Sequence, residues 1–189
     1  MRPEPGGRAP APGPLRLVQR FVNTVDLEDG PDDLATAAGL REWLEAAGLL
    51  EPGARVTAAE HGRAIELREA IRRLAEAHEG DVEDHEAAAT VNEAAGRAGL
   101  HPVLTASGSR LEPAAGGVDG ALGRIVAAIH AAIAEDTWLR LKACERDACR
   151  WAFYDHSKNQ SSHWCTTAIC GAREKNRRAY RRRRARAAR

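Results

Sequence analysis

Apolar residues along the chain fall mostly at helical spacing. From Leu15 to Leu27 an apolar stretch around Phe21, Val22 and Val25 reads as a helix, although its period also fits a strand. Asp32 or Asp33 can cap a second helix running to about Ala47, with Leu34, Ala37, Leu44 and Ala47 roughly on one face. Gly48 then stands where a C-terminal cap favours a positive φ. Thr57 and Glu60 have the spacing of a capping box, and Ala64, Leu67, Ile71, Leu74 and Ala75 mark the helix that follows, ending near Gly80. A further alanine-rich helix is predicted from Glu83 to Arg97, stopped by Gly99. The helical period is lost over 101–112, whose central Ser-Gly predicts a short hairpin. A flexible joint is expected from Ala114 to Gly120. Beyond it Leu122, Ile125, Val126, Ile129, Ala132 and Ile133 make the clearest apolar stripe in the chain. Trp151 to Tyr154 reads as a strand, with 157–162 as its polar loop.

Composition changes this picture in two ways. Aromatic residues are only 4% of the 189-residue chain, so a core must be built from Leu, Ile, Val and Ala, and alanine favours helix. The aromatics are also unevenly placed: Trp138, Trp151, Phe153, Tyr154, Trp164 and Tyr180 all lie in the last third. Charge is split in the same way. Residues 140–189 hold 15 Lys/Arg against 4 Asp/Glu, whereas residues 1–139 carry a net negative charge, so the overall value of +1 conceals a basic end on an acidic body. The expected fold is mainly α: an alanine-rich helical domain with a short β-hairpin over 15–139, then a small zinc-binding module of β-hairpin plus basic C-terminal helix over 140–189. Residues 1–14, rich in Pro, Gly and Ala, read as a disordered arm with no secretory apolar core. No apolar run approaches the ~20 residues that span a bilayer. A cytoplasmic protein with no membrane partner is the expectation.

The four cysteines carry the chemistry. They fall as Cys144-x4-Cys149-x15-Cys165-x4-Cys170, two short-spaced pairs that can supply the four corners of a tetrahedral zinc site. A module this small buries too little apolar surface to hold itself together, and structural zinc contributes roughly 10–16 kcal/mol of apparent binding free energy. Four thiolates close the coordination shell, so one structural Zn2+ on Cys144, Cys149, Cys165 and Cys170 is expected rather than a catalytic metal. Unligated or disulfide-bonded thiols are the other reading, and His156 and His163 lie off the paired pattern. No phosphate loop, nucleophile elbow or His-Glu-x-x-His pattern occurs, the scattered His61, His78, His85, His101 and His130 have no partner at ligand spacing, and no enzyme is expected.

Beyond the last cysteine the chain is dominated by arginine. Arg173, Lys175, Arg177, Arg178, Arg181, Arg182, Arg183, Arg184, Arg186 and Arg189 are opposed only by Glu174. As a helix, this stretch places Arg173, Arg177, Arg181 and Arg184 on one face, with Arg178 and Arg182 beside it. Arginine suits bidentate contact with phosphates and guanine edges. The alternative is a solvated tail that binds any polyanion weakly.

Cys144 to Arg178 resembles the CGNR zinc finger on Phe153, Asp155, Ser157, Lys158, Asn159, Trp164, Cys165, Cys170, Gly171, Arg173 and Lys175. Two departures stand out: Ala172 occupies the place of the signature asparagine, and Gln160, Ser162 and His163 stand where arginines often precede the tryptophan. Phe21-Val22-Asn23-Thr24 and the stretch from Leu40 to Leu49 around Trp43 resemble the ABATE domain, a family described as a putative stress-induced transcription regulator. The resemblance implies a zinc-dependent DNA-binding transcription regulator whose finger contacts DNA through Arg173, Lys175, Arg177, Arg178, Arg181, Arg182 and Arg184. The N-terminal domain would sense an effector or meet a partner, with a homo-oligomer open and a place on the nucleoid implied by DNA binding. RNA binding through Trp151, Tyr154 and Trp164, or a zinc-stabilised protein-interaction module, are the alternatives.

Overall fold

A computed structural model describes residues 5–28, 30–78, 83–106 and 108–187. Among these residues six α-helices and two hairpins follow one another: α1 Leu15–Val22, α2 Ala37–Ala46, α3 Ala58–Ala77, α4 His85–Ala98, β1 Leu100–Thr105, β2 Gly108–Pro113, α5 Gly117–Ala134, β3 Leu141–Ala143, β4 Ala152–Tyr154 and α6 Ala172–Ala187. Both strand pairs are antiparallel, with Leu100 opposite Pro113 in the first and Leu141 opposite Tyr154 in the second. The expected mainly helical fold with a small cysteine module is the one observed.

α5 is the central helix. It packs against α1, α4 and β2, and it buries Leu122, Ile125, Val126, Ile129 and Ala132 of the apolar stripe. By length and composition α5 could cross a bilayer, yet 56% of it is buried inside the protein. Ile133 departs from expectation and lies 54% exposed, although Ala132 beside it is buried. Around α5 the core closes with Val18, Phe21, Leu40, Leu44, Leu67 and Ile71, each fully or almost fully buried and worth about 1.5–3 kcal/mol for removal from water. The Phe21 and Trp43 rings meet at 5.5 Å, which fixes α2 on α1.

Local signals are used as their chemistry requires in most places. Thr57 and Glu60 form the reciprocal capping box of α3. Gly48 and Gly99 take left-handed backbone, and Gly99 ends α4. Three expectations give way. The cap of α2 is Thr36, whose hydroxyl accepts from the Gly39 N–H at 3.1 Å, not Asp32 or Asp33. The Asp32 carboxylate instead accepts from the Leu34 N–H and forms a two-point ion pair with Arg68 at 2.7 and 3.0 Å. The joint over 114–120 is held, since the Ala114 and Ala115 N–H groups bond the carbonyls of Gly99 and Ala98 before α5 begins at Gly117.

The third is the hairpin of the C-terminal module: β4 pairs back with β3 across the turn that holds Cys149, not across the polar loop 157–162. Residues 1–4 lie outside the described residues, as does Gly80, the expected end of α3; from Pro5 onward the arm lies against the protein. Ala11 is buried and gives its N–H to the Gln19 side chain at 2.6 Å. Arg8 donates to the carbonyls of Tyr154 and Trp164 and lies 4.6 Å over the Phe153 ring.

Helical body and C-terminal hairpin share one core, because Leu141, Ala152 and Tyr154 belong to the same buried cluster as Phe21 and Ile71. Asn23, just past α1, acts as a substitute strand. Its side chain accepts from the Ala152 N–H at 2.8 Å and donates to the Ala152 carbonyl at 2.7 Å, which covers the open edge of β4. The fully buried Arg72 donates to the Val22 and Arg150 carbonyls and to Glu69. Burial lowers the pKa of its guanidinium, against the opposing pull of Glu69.

Candidate metal centre and basic helix

Each cysteine sits at a tight backbone feature. Cys144 leaves β3 and continues the ladder by donating to the Trp151 carbonyl at 3.0 Å. Cys149 closes the first turn on the Arg146 carbonyl at 2.7 Å. Arg150 then reverses the chain with φ at 46°, an uncommon value for a residue with a side chain, and it is anchored on both sides: its guanidinium pairs with Glu76 of α3 and its carbonyl takes Arg72. Cys170 lies in a single π-helical turn, Thr167–Gly171, capped by the Thr166 hydroxyl and leading directly into α6. The second pair is thereby joined to the basic helix without a linker.

The four Sγ atoms lie within 4.8 Å of one another, with Cys149–Cys165 at 3.7 Å and Cys165–Cys170 at 3.6 Å. Tetrahedral zinc with Zn–S bonds of about 2.3 Å places neighbouring sulfurs about 3.8 Å apart, so the donor set fits one ion. A disulfide needs about 2.05 Å, and all four thiols are free. Electrostatics favour a cation at this point. Hydrogen bonds from Cys149 and then Cys165 hold the Cys144 thiol well below the usual thiol range. Hydrogen bonding to Cys144 in turn raises Cys149 and Cys165. Sulfurs this close share their protons, and all four can be thiolates only with a positive ion among them. His156 contacts the Ala9 and Pro10 carbonyls and His163 pairs with Glu145, so neither joins the sulfurs.

Trp151 and Phe153 are buried against the cysteines, and Trp164 is half-buried beside them. Asp155 organises the polar loop, accepting from the Ser157 N–H and from the N–H and hydroxyl of Ser162, each at 2.9 Å, with Lys142 at 3.4 Å. Burial pushes its pKa up, but these hydrogen bonds outweigh burial and hold it well below the carboxylate range.

Two family models match this arrangement, one over each part of the chain. Residues 15–139 match ABATE, described as "Putative stress-induced transcription regulator", and residues 140–184 match the CGNR zinc finger. The chain belongs to the ABATE family. It carries a C-terminal CGNR zinc finger whose four cysteines are close enough to hold one zinc ion. Neither family is an enzyme family. No curated protein matches the chain.

In this ABATE–CGNR protein the basic residues divide into two groups. Three of those singled out from sequence are paired internally. Arg173 donates to Glu28 of the ABATE body at 2.7 Å, Arg177 pairs with Glu174 at 2.7 Å and with Asp147 at 3.6 Å, and Arg178 reaches Glu174 at 3.0 Å. Glu174 is nearly buried, and Arg177 and then Arg178 pull its pKa down against burial. Lys175, Arg181, Arg182 and Arg184 are exposed and make no ion pair among the described residues. Arg189 lies outside them. Sequence reasoning missed Arg146, which shares Glu28 with Arg173, donating to it at 2.5 and 2.8 Å. It also missed Glu28 itself, which stands 118 positions from Arg146 with no local signal to connect them.

Proposed function

We propose that this protein is a zinc-dependent DNA-binding transcription regulator. Cys144, Cys149, Cys165 and Cys170 ligate one structural zinc, and α6 presents its arginines to DNA. The observation that carries this reading is the mounting of α6. It is a 16-residue helix rich in arginine, it packs chiefly on the turn that holds Cys170, and it is exposed along most of its length. Zinc, when bound, cross-links the two cysteine pairs and so fixes where α6 starts. The chain's own residues do the rest: Arg173, Lys175, Arg177, Arg178, Arg181, Arg182 and Arg184 neutralise phosphates and release counterions, while the acidic ABATE body serves sensing or partner contact. A helix with basic residues all round suits the major groove, which is about 12 Å wide and flanked by phosphates on both walls.

Burial of Trp151 and Tyr154 supports DNA over unpaired RNA, since of the three rings considered for stacking it leaves Trp164 alone half-exposed. The test is fluorescence anisotropy of the zinc-loaded protein on duplex DNA at two salt concentrations, with single-stranded RNA as competitor. With about four phosphate contacts, affinity falls on the order of a hundred-fold between 50 and 200 mM salt. Salt-insensitive binding, or ready displacement by the RNA, would sink the reading.

A further inference from the structure

A groove of about 470 Å3 runs along one side of α6, walled by Trp164, Gly171 and Ala172 and bordered by Lys175, Arg178 and Arg182. Its floor is set by the metal module. Trp164 precedes the ligand Cys165, and its indole lies on Gly171, where a Cβ would come 3.2 Å from Trp164 Cε3. A side chain at this position would push the ring back by a few tenths of an ångström. The indole N–H is buried and has no acceptor among the described residues. Ala172 is exposed and leaves the floor open where a longer side chain would cover it.

Three cations follow one row of the helix. Lys175, Arg178 and Arg182 are separated by three and four residues and span on the order of 10 Å, the scale of two or three successive phosphates on one strand. Glu174 also lines the groove, but it holds Arg178 and Arg177, so Lys175 and Arg182 keep their charge for an outside partner. This row differs from the Arg173–Arg177 row. That row is turned toward Glu28, Glu174 and Asp147 and is partly neutralised.

We propose that this groove is the seat of one DNA strand. The phosphates of that strand sit on Lys175 and Arg182, with Arg178 held between them by Glu174, and a deoxyribose of the same strand packs on Trp164 and Ala172. An apolar floor beside a line of cations is complementary to a backbone that alternates sugar and phosphate. A floor of indole and methyl reads no base edge, so this seat positions the finger without specifying sequence. The inference rests on the DNA-binding reading above and assigns it a face.

The experiment measures duplex affinity by anisotropy for the full-length zinc-loaded protein and three variants, each first shown to retain one zinc per chain. Ala172→Trp fills the groove without changing charge, Lys175→Ala/Arg182→Ala removes two groove cations, and Arg181→Ala/Arg184→Ala removes two from other faces. The first two are expected to weaken binding about tenfold or more at 0.1 M salt. The groove pair should also lower the salt slope by about two. The Arg181/Arg184 pair, which meets phosphates on other faces of the helix, should weaken binding by a clearly smaller factor than the groove pair. Wild-type affinity in Ala172→Trp, or equal losses in the two double variants, overturns the groove while leaving DNA binding in place. Absence of binding by the unaltered protein overturns the DNA reading itself and this seat with it.

Discussion

Glu28 sits between two arginines of the finger, taking Arg146 through both oxygens and Arg173 through one. The hydrogen bond from Arg146 chiefly holds its carboxyl below the ordinary range, so it is ionised at neutral pH and occupies positions that a phosphate would otherwise fill. Replacing it tests whether the ABATE body restrains the finger. Glu28→Gln keeps the shape and removes the charge. Duplex affinity at low salt should rise about three- to tenfold, with a salt slope steeper by about one, as the freed guanidinium groups find phosphate. Unchanged affinity and slope in the same titration would mean that both arginines leave Glu28 without cost or never meet DNA. None of this was readable from residue types, because a lone glutamate in a loop is a solvated charge until the fold places two arginines against it.

At the scale of elements α3 joins the two parts of the molecule. Its first turn is capped by Thr57 and Glu60, both evident in the sequence, while its last turns hold Arg72, Glu76 and His78 against the finger. His78 Nδ1 contacts the Leu141 carbonyl at 2.7 Å, and its ring meets Trp138 edge-on at 4.8 Å. Burial pushes its pKa below the usual histidine value, with Lys142 adding to the effect and the Leu141 bond opposing it. The native state therefore prefers the neutral ring. This contribution to stability is complete above the unfolded pKa near 6.5 and is lost as pH falls through the lower folded value. Urea denaturation at pH 7.5 and 5.5 should show a smaller loss of stability on acidification for His78→Gln than for the unaltered protein. Equal losses would assign the pH dependence elsewhere. The period of α3 was legible from its apolar residues, but the partners of its polar residues were not. Asp32 shows why: its side chain suits a cap as well as Thr36 does, and only the approach of Arg68 settled which of them caps a helix.

For the molecule as a whole, the zinc site and the ABATE core are coupled but unequal. The core around Phe21, Leu67, Ile71 and Ile125 contains no cysteine, whereas Trp151 and Phe153 form a second, small cluster with the four thiols. Chelation should therefore abolish DNA binding and loosen the finger while most of the α1–α5 circular-dichroism signal persists. Zinc uptake should release protons and tighten with rising pH, because raised thiols such as Cys149 must ionise to bind. Metal-free protein that binds duplex normally would remove zinc from the account. Short-range rules were enough to locate the helices, the first hairpin, one strand of the second and the four clustered cysteines. Period, caps and cysteine spacing operate within a few residues and leave their mark in sequence order. Other features were decided by the tertiary structure: the packed arm, Asn23 closing the edge of β4, the Glu28 clamp and the groove between Trp164 and α6. Each joins groups that are distant in the chain or lie on separate elements. Buried or charged groups must find partners, and which partner is within reach depends on how the helical body closes against the finger.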